Sequence, residues 1–301
     1  MSKVLTIGNF DGLHLGHKKL LETLTHEAEK RRLPSLVISY YNHPAEILFH
    51  PNQPMLLSST EAKLQGIREL GVDEVELIRF DEEFACTSAE DFLQKYLIPK
   101  HDPSLIVVGF DSHFGHQRQG NYEFLKEHCQ SCHYELIYIE PVLYEGVPIS
   151  SSLIRAKLRA GEVETASRLL GRPYSLEGTV VHSKGLGTKL GFPTANLKLH
   201  SSHILIPASG IYLSEISFGE TKAFGLTNIG TSPTVKQDGK IEIETFIIDF
   251  KEDVYKQNMV VSLLQRIRDE KKFSGLGELT NAMRQDLETA RAIIGSQRCE
   301  Q

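Results

Sequence analysis

Cysteine is scarce in this 301-residue chain. Cys86, Cys129, Cys132 and Cys299 are too few and too scattered to staple a disulfide scaffold, which points to a reducing compartment, the cytoplasm. Long apolar runs are lacking too, and nothing approaches the roughly 18 continuous apolar residues of a membrane helix. The start, Met1-Ser2-Lys3-Val4-Leu5-Thr6-Ile7, has no leader-like apolar region and reads as a first strand. Positive charge is also in deficit, with a formal net charge of −6. Residues 1–175 hold 18 Lys+Arg against 24 Asp+Glu, whereas residues 176–301 hold 15 of each. Neither half has the basic footprint of a polynucleotide binder, so no nucleic acid is expected as partner. Phosphates bound here belong to small molecules, held with a metal ion.

What remains is globular composition, 40% hydrophobic and 24% charged, in a chain long enough for two domains. Two rhythms divide it. Apolar runs at 4–7, 36–40, 75–79, 105–108 and 136–139 alternate with amphipathic stretches at 15–32, 61–70 and 89–97. Thr60 and Ser88 stand as N-caps of the last two. Short apolar strands separated by helices predict a Rossmann-like α/β half, a parallel sheet with helices on both faces. Ligands of such sheets bind at the carboxyl ends of the strands. From 176 to 265 short alternating runs are punctuated by Gly, Pro, Ser and Asn, predicting an antiparallel barrel or sandwich. One helix bridges the halves at 151–170, and another closes the chain at 276–294. The expected domains are 1–174 and 175–301.

Gly8-Asn9-Phe10-Asp11-Gly12-Leu13-His14-Leu15-Gly16-His17 joins the first strand to the first helix. Its glycines let backbone approach a phosphate, and the helix start offers free N–H groups. His14 and His17, three apart on a first turn, project to one side, where they can stabilise charge on a nucleotide's α-phosphate. After the last parallel strand, Ser150-Ser151-Ser152 and Arg155 supply hydroxyls, N–H groups and a guanidinium suited to phosphate. In the second half, Gly185, Gly187 and Gly191 punctuate a loop able to wrap phosphate oxygens, though without Walker spacing. Thr194 and Asn196 follow in Pro193-Thr194-Ala195-Asn196; two apart on an extended segment, they point the same way. Oxygen ligands of that kind suit Mg²⁺. His128-Cys129-Gln130-Ser131-Cys132-His133 resembles a zinc string but lacks a second Cys pair, and reads as reduced structural thiols.

Gly-x-Phe-Asp-Gly-x-His-x-Gly-His is similar to the signature of the bifunctional bacterial riboflavin kinase/FAD synthetase family. Further matches are Tyr41-Asn42-His43-Pro44, Gly109 to Gly115, Ile149 to Arg155, Leu169 to Tyr174, Pro193 to Asn196, and Glu242 to Phe250. The resemblance implies a nucleotidyltransferase-like first half and a six-stranded barrel as second half. It implies two ATP-using, Mg²⁺-dependent reactions: riboflavin to FMN, then FMN to FAD with release of pyrophosphate. It places Gly8, Phe10, Asp11, Gly12 and Gly16 with Ser151, Ser152 and Arg155 at the nucleotide, and His43, Asp111 and Phe114 near flavin. It makes Thr194 and Asn196 the metal ligands and Glu244 the base for the ribityl hydroxyl. Ser112, His113 and Leu153 depart from the family's Phe, Arg and Arg, as do Ser183, Thr188 and Lys256 from its Gly, Arg and Gly. One active module, or a flavin- or nucleotide-binding regulator without activity, therefore stays open as an alternative. Retention of His14, His17, Thr194, Asn196 and Glu244 together argues against the regulator. Oligomeric state is not encoded in any motif.

Overall fold

Strands β1 (Lys3–Ile7), β2 (Ser35–Tyr40), β3 (Glu74–Ile78), β4 (Pro103–Gly109) and β5 (Glu135–Ile139) form a parallel sheet in the order β3-β2-β1-β4-β5. The computed structural model describes residues 2–49, 55–182, 191–231 and 241–299. It divides into two units, Met1–Leu153 and Ile154–Gln301.

The central strands are buried on both faces, which is why they read as unbroken apolar runs. Val4, Val37, Leu105 and Val107 pack with Leu20, Leu21 and Leu24 of helix α1 (Leu15–Arg31) and Ile67 of α3 (Thr60–Glu69). Leu5, Leu36, Ile38, Ile106 and Val108 face the other way, onto Phe92, Leu93, Phe114 and Leu125. A short helix α2 (Pro44–Leu48) follows β2. The small hairpin of β6 (Leu143–Tyr144) and β7 (Val147–Pro148) has no counterpart in the sequence reading.

Local corrections have simple causes. Ser59, not Thr60, caps α3: its Oγ accepts from Ala62 N at 3.1 Å, while the Thr60 hydroxyl donates to Tyr41 O. The helix opening at Ala89 continues through a wide-turned segment, Phe92–Leu97, into Ile98–His101. Pro99 has no N–H for an ordinary helical bond, and the wider turn relieves its ring. The bridging helix is two helices, Ser151–Arg159 and Val163–Leu170, broken where Gly161 turns left-handed at φ +79°.

The second unit is a closed antiparallel barrel. Its strands are β8 (Tyr174–Val181), β9 (Thr194–Leu199), β10 (Gly210–Phe218), β11 (Thr221–Thr231), β12 (Ile241–Ile247) and β13 (Asn258–Arg268), ordered β10-β11-β12-β9-β8-β13. Alternation sorts the two faces: Ile243, Thr245 and Ile247 are buried while Glu242, Glu244 and Phe246 are half-buried. A chain of buried hydroxyls, Ser214 to Thr227 to Thr245, closes at 2.9 and 3.0 Å. The helix Leu276–Cys299 lays Leu287, Ala290 and Ile293 over Leu213, Leu226 and Phe246. A bidentate pair from Arg268 to Asp286, both bonds 2.8 Å, fixes its position. No helix among the described residues is long and apolar enough to cross a membrane.

Candidate active sites

Strand order reverses between β1 and β4, and the crevice beyond their carboxyl ends is where such sheets take ligands. The loop leaving β1 is bent hard there: Phe10, Gly12 and Leu13 all have positive φ, at 54°, 80° and 44°. For Phe and Leu that conformation costs on the order of 1–2 kcal/mol each. Burial and hydrogen bonds hold it. Phe10 and Leu13 are in the core. The Asp11 carboxylate accepts from Leu57 N at 3.0 Å and Ser58 N at 3.2 Å, and Gly12 N donates to Ser58 Oγ. Ser151 Oγ donates to the Asp11 carbonyl at 2.9 Å, tying the second phosphate element to the first.

Lys63, absent from the sequence reading, is the other anchor. Its buried ammonium donates to Asn9 O, Ser39 Oγ and Tyr40 O at 3.3, 3.1 and 2.8 Å. Burial lowers its pKa to about 8, against the pull of Asp11. The available signal was its phase on α3, where it and Ile67 are the buried pair four residues apart.

The two histidines are brought together as the spacing predicts, their rings stacked at 3.6 Å. Phe10 meets His17 edge-on at 5.2 Å. His14 is the N-cap of α1, its Nδ1 accepting from His17 N at 3.3 Å. Gly16 leaves room beneath it: a Cβ there would lie a tight 3.2 Å from the imidazole and press the ring to shift. Burial pulls the His14 pKa down to about 4; burial, then His14 and Lys63, hold His17 well below its ordinary value. Both rings are therefore neutral near pH 7. A neutral ring accepting at Nδ1 carries its proton on Nε2. That atom, like His17 Nδ1, is buried without a hydrogen-bond partner. Two unpartnered ring nitrogens at a helix start make a docking point for a polar, anionic group.

The other expected residues are less concentrated. Gly8, the first residue after β1, donates its N–H to Ile38 O of β2 at 3.0 Å. Ser152 is exposed and Arg155, in the next turn, is buried. His43 caps α2, its Nδ1 accepting from Ala45 N at 3.1 Å while Glu46 returns to the His43 N–H. In the loop after β4, Asp111 is exposed and Phe114 is buried against Phe92 and Phe124. His113 Nδ1 lies 2.9 Å from the Arg118 guanidinium, so this loop keeps an arginine beside the position where the family has one.

In the barrel, Gly191 turns left-handed at φ +84°. Gly185 and Gly187, with Ser183 and Thr188, lie outside the described residues. Thr194 and Asn196 project from the half-buried face of β9, with buried Ala195 between them. Register sets Asn196 opposite Glu244, and Phe246 opposite Thr194. On the other side of Glu244, register sets Asn228. Three oxygen-bearing side chains from β9, β12 and β11 thus form one row, with Phe192 packed edge-on against Phe246 at 5.2 Å. Neutral oxygens beside a carboxylate are the donors a hard cation prefers.

Lys256 shows why that position suits glycine: its φ is +65°. Replacing Lys256 with Gly should raise stability by about 0.5–1 kcal/mol, relief of left-handed strain less the entropy of a freer unfolded chain. A higher urea midpoint at unchanged slope is the expected reading.

A switch-point sheet with a polar helix start, joined to a barrel bearing an oxygen row, defines a two-module enzyme of phosphate chemistry. Comparison with known proteins makes this specific. Residues 1–153 match the FAD synthetase family and residues 170–294 the riboflavin kinase family. The chain is 36% identical to the bifunctional riboflavin kinase/FMN adenylyltransferase of Escherichia coli K12, over 97% of this chain and 93% of that protein. It is 33% identical to its Bacillus subtilis namesake, over 95% and 91%. A crystal structure from Streptococcus pneumoniae, described as a macrolide-efflux protein, shares 32% identity at a TM-score of 0.87, covering 96% of this chain and 94% of that one. The chain belongs to the bifunctional riboflavin kinase/FMN adenylyltransferase family.

Proposed function

We propose that the two halves divide flavin cofactor synthesis between them, residues 1–174 adenylylating FMN and residues 175–301 phosphorylating riboflavin, in the cytoplasm. The observation that carries the first assignment is the unpartnered Nε2 of His14. In that half an FMN phosphate oxygen attacks the α-phosphorus of ATP, the α–β bridge breaks, and pyrophosphate leaves. His14 donates from Nε2 to the oxygen where charge gathers, and His17 stacks behind it. The Asp11, Lys63 and Ser151 bonds keep that donor from moving. Gly8, Phe10, Gly12 and Gly16 shape the loop around the nucleotide, with Ser151, Ser152 and Arg155 as the second phosphate element. His43, Asp111 and Phe114 belong to the flavin side.

In the second half Glu244 accepts the proton of riboflavin's terminal ribityl hydroxyl as its oxygen bonds to the γ-phosphorus of ATP and ADP departs. Thr194 and Asn196 hold Mg²⁺, which supplies neutralisation of phosphate charge. Gly185, Gly187 and Gly191 wrap the phosphates.

Incubation of the chain with ATP, Mg²⁺ and riboflavin, followed by chromatographic separation of flavins, tests the whole reading. FMN together with FAD is expected. FMN alone, or FAD only from supplied FMN, would restrict the proposal to one module.

The metal assignment has its own test. Replacing Asn196 with Ala should lower riboflavin phosphorylation at least about tenfold, the loss that removal of even an outer-shell partner typically brings. The Mg²⁺ requirement should rise, while adenylylation of supplied FMN continues. Wild-type kinase rates and Mg²⁺ dependence would remove Asn196 from the metal site.

A further inference from the structure

No motif singled out Asn228, yet it completes the row beside Glu244. On β11 it lies between Thr227 and Ile229, both fully buried, and so shares the half-buried face with Glu244. Thr227, on the opposite face, is satisfied by Ser214 and Thr245. Asn228 is not: its Oδ1 is sealed from solvent and has no hydrogen-bond partner. Burying such an oxygen unpaired costs about 1–3 kcal/mol. A fold that satisfies the neighbouring polar groups on this strand leaves this one waiting.

Position says for what. Adjacent strands stand about 4.8 Å apart, so Glu244 has Asn196 at one shoulder and Asn228 at the other. In the kinase reading, on which this inference rests, Asn196 faces the metal and phosphates. The far shoulder is then the alcohol side of the carboxylate. We propose that Asn228 grips the polyol chain of the acceptor, hydrogen bonding a ribityl hydroxyl beside the terminal one that Glu244 deprotonates. An amide suits the task whichever way it is turned, because a hydroxyl both donates and accepts. The inference makes Asn228 a substrate-binding residue that selects acceptors by their hydroxyls and aligns the reacting oxygen with the base.

The test uses the whole chain and steady-state kinetics with riboflavin and with analogues each lacking one non-terminal ribityl hydroxyl. Wild type should lose about tenfold or more in kcat/KM with one of these analogues. Replacing Asn228 with Leu, similar in size but without polar atoms, should lose a comparable factor with riboflavin and nothing further with that analogue. ATP KM and Mg²⁺ dependence should stay put. The melting temperature should hold or rise, since the variant deletes an unpaired buried oxygen. A purely structural Asn228 would instead give a lower melting temperature and an equal loss with every acceptor. Altered ATP or Mg²⁺ dependence would move the residue to the phosphate side, and wild-type kinetics would remove it from the site; either overturns the inference. A wild-type chain that leaves riboflavin unphosphorylated overturns the kinase reading itself, which separates the two failures.

Discussion

Glu244→Gln should slow riboflavin phosphorylation about 10²–10⁴-fold in kcat, the range over which a positioned general base contributes. Glutamine keeps the length of the side chain and its hydrogen bonding but has no carboxylate to take a proton. The neighbours it must sit between, Asn196 and Asn228, present amide groups that tolerate an amide partner. β12 is paired on both sides through this region, so the backbone holding position 244 should not move. The loss falls mainly on the transition state, and the affinities for riboflavin and ATP should change far less. FAD synthesis from supplied FMN should be untouched, because its residues lie in the other half. Stopped assays for kcat, with fluorescence titration of riboflavin, decide the matter. A normal kcat with riboflavin binding weakened tenfold or more would make Glu244 an anchor and not a base.

The paired histidines, the parallel sheet and the antiparallel strands of the second half were legible because each rests on local pattern. That pattern fits a sandwich as well as a barrel, and only the family resemblance implied the closed six-stranded form. Strands buried on both faces show as apolar runs, and strands with one wet face show as alternation. What escaped depends on distant partners. Lys63 looks like any solvated helix lysine until β2 and the signature loop bring Tyr40 O, Ser39 Oγ and Asn9 O to it. Asn228 counts among the Asn residues that punctuate the alternating runs of 176–265 and so resembles a turn residue; only the ladder, which continues to Thr231, makes it mid-strand and sets it beside Glu244. The wide-turned segment Phe92–Leu97 was hidden for the opposite reason, since its apolar phase is that of an ordinary helix. Thr194 and Asn196 were found as a motif on an extended segment, but that β9 lies between β8 and β12 is topology, which spacing alone does not state.

His14→Ala should reduce FAD formation from FMN about 10²–10³-fold, the effect of removing one preorganised donor, with riboflavin phosphorylation near wild type. The side chain has two jobs, so one variant is not enough. Its Nδ1 caps α1, and losing a cap costs about 1 kcal/mol. Asn is among the best caps and is too short to place a donor where Nε2 stands. His14→Asn should therefore keep the stability that His14→Ala loses, yet lose the same adenylylation rate. Stability against pH gives an independent check. The unfolded ring binds a proton near pH 6.5, whereas the folded ring resists until about pH 4. Stability is thus full above about 6.5 and declines by about 3 kcal/mol as pH falls to about 4, then levels. His17, lowered for the same reason, steepens that limb. In His14→Asn the decline should shrink, which urea unfolding at pH 7 and pH 4.5 measures. Equal loss of kinase and adenylyltransferase activity in a folded variant would contradict the division of labour between the halves.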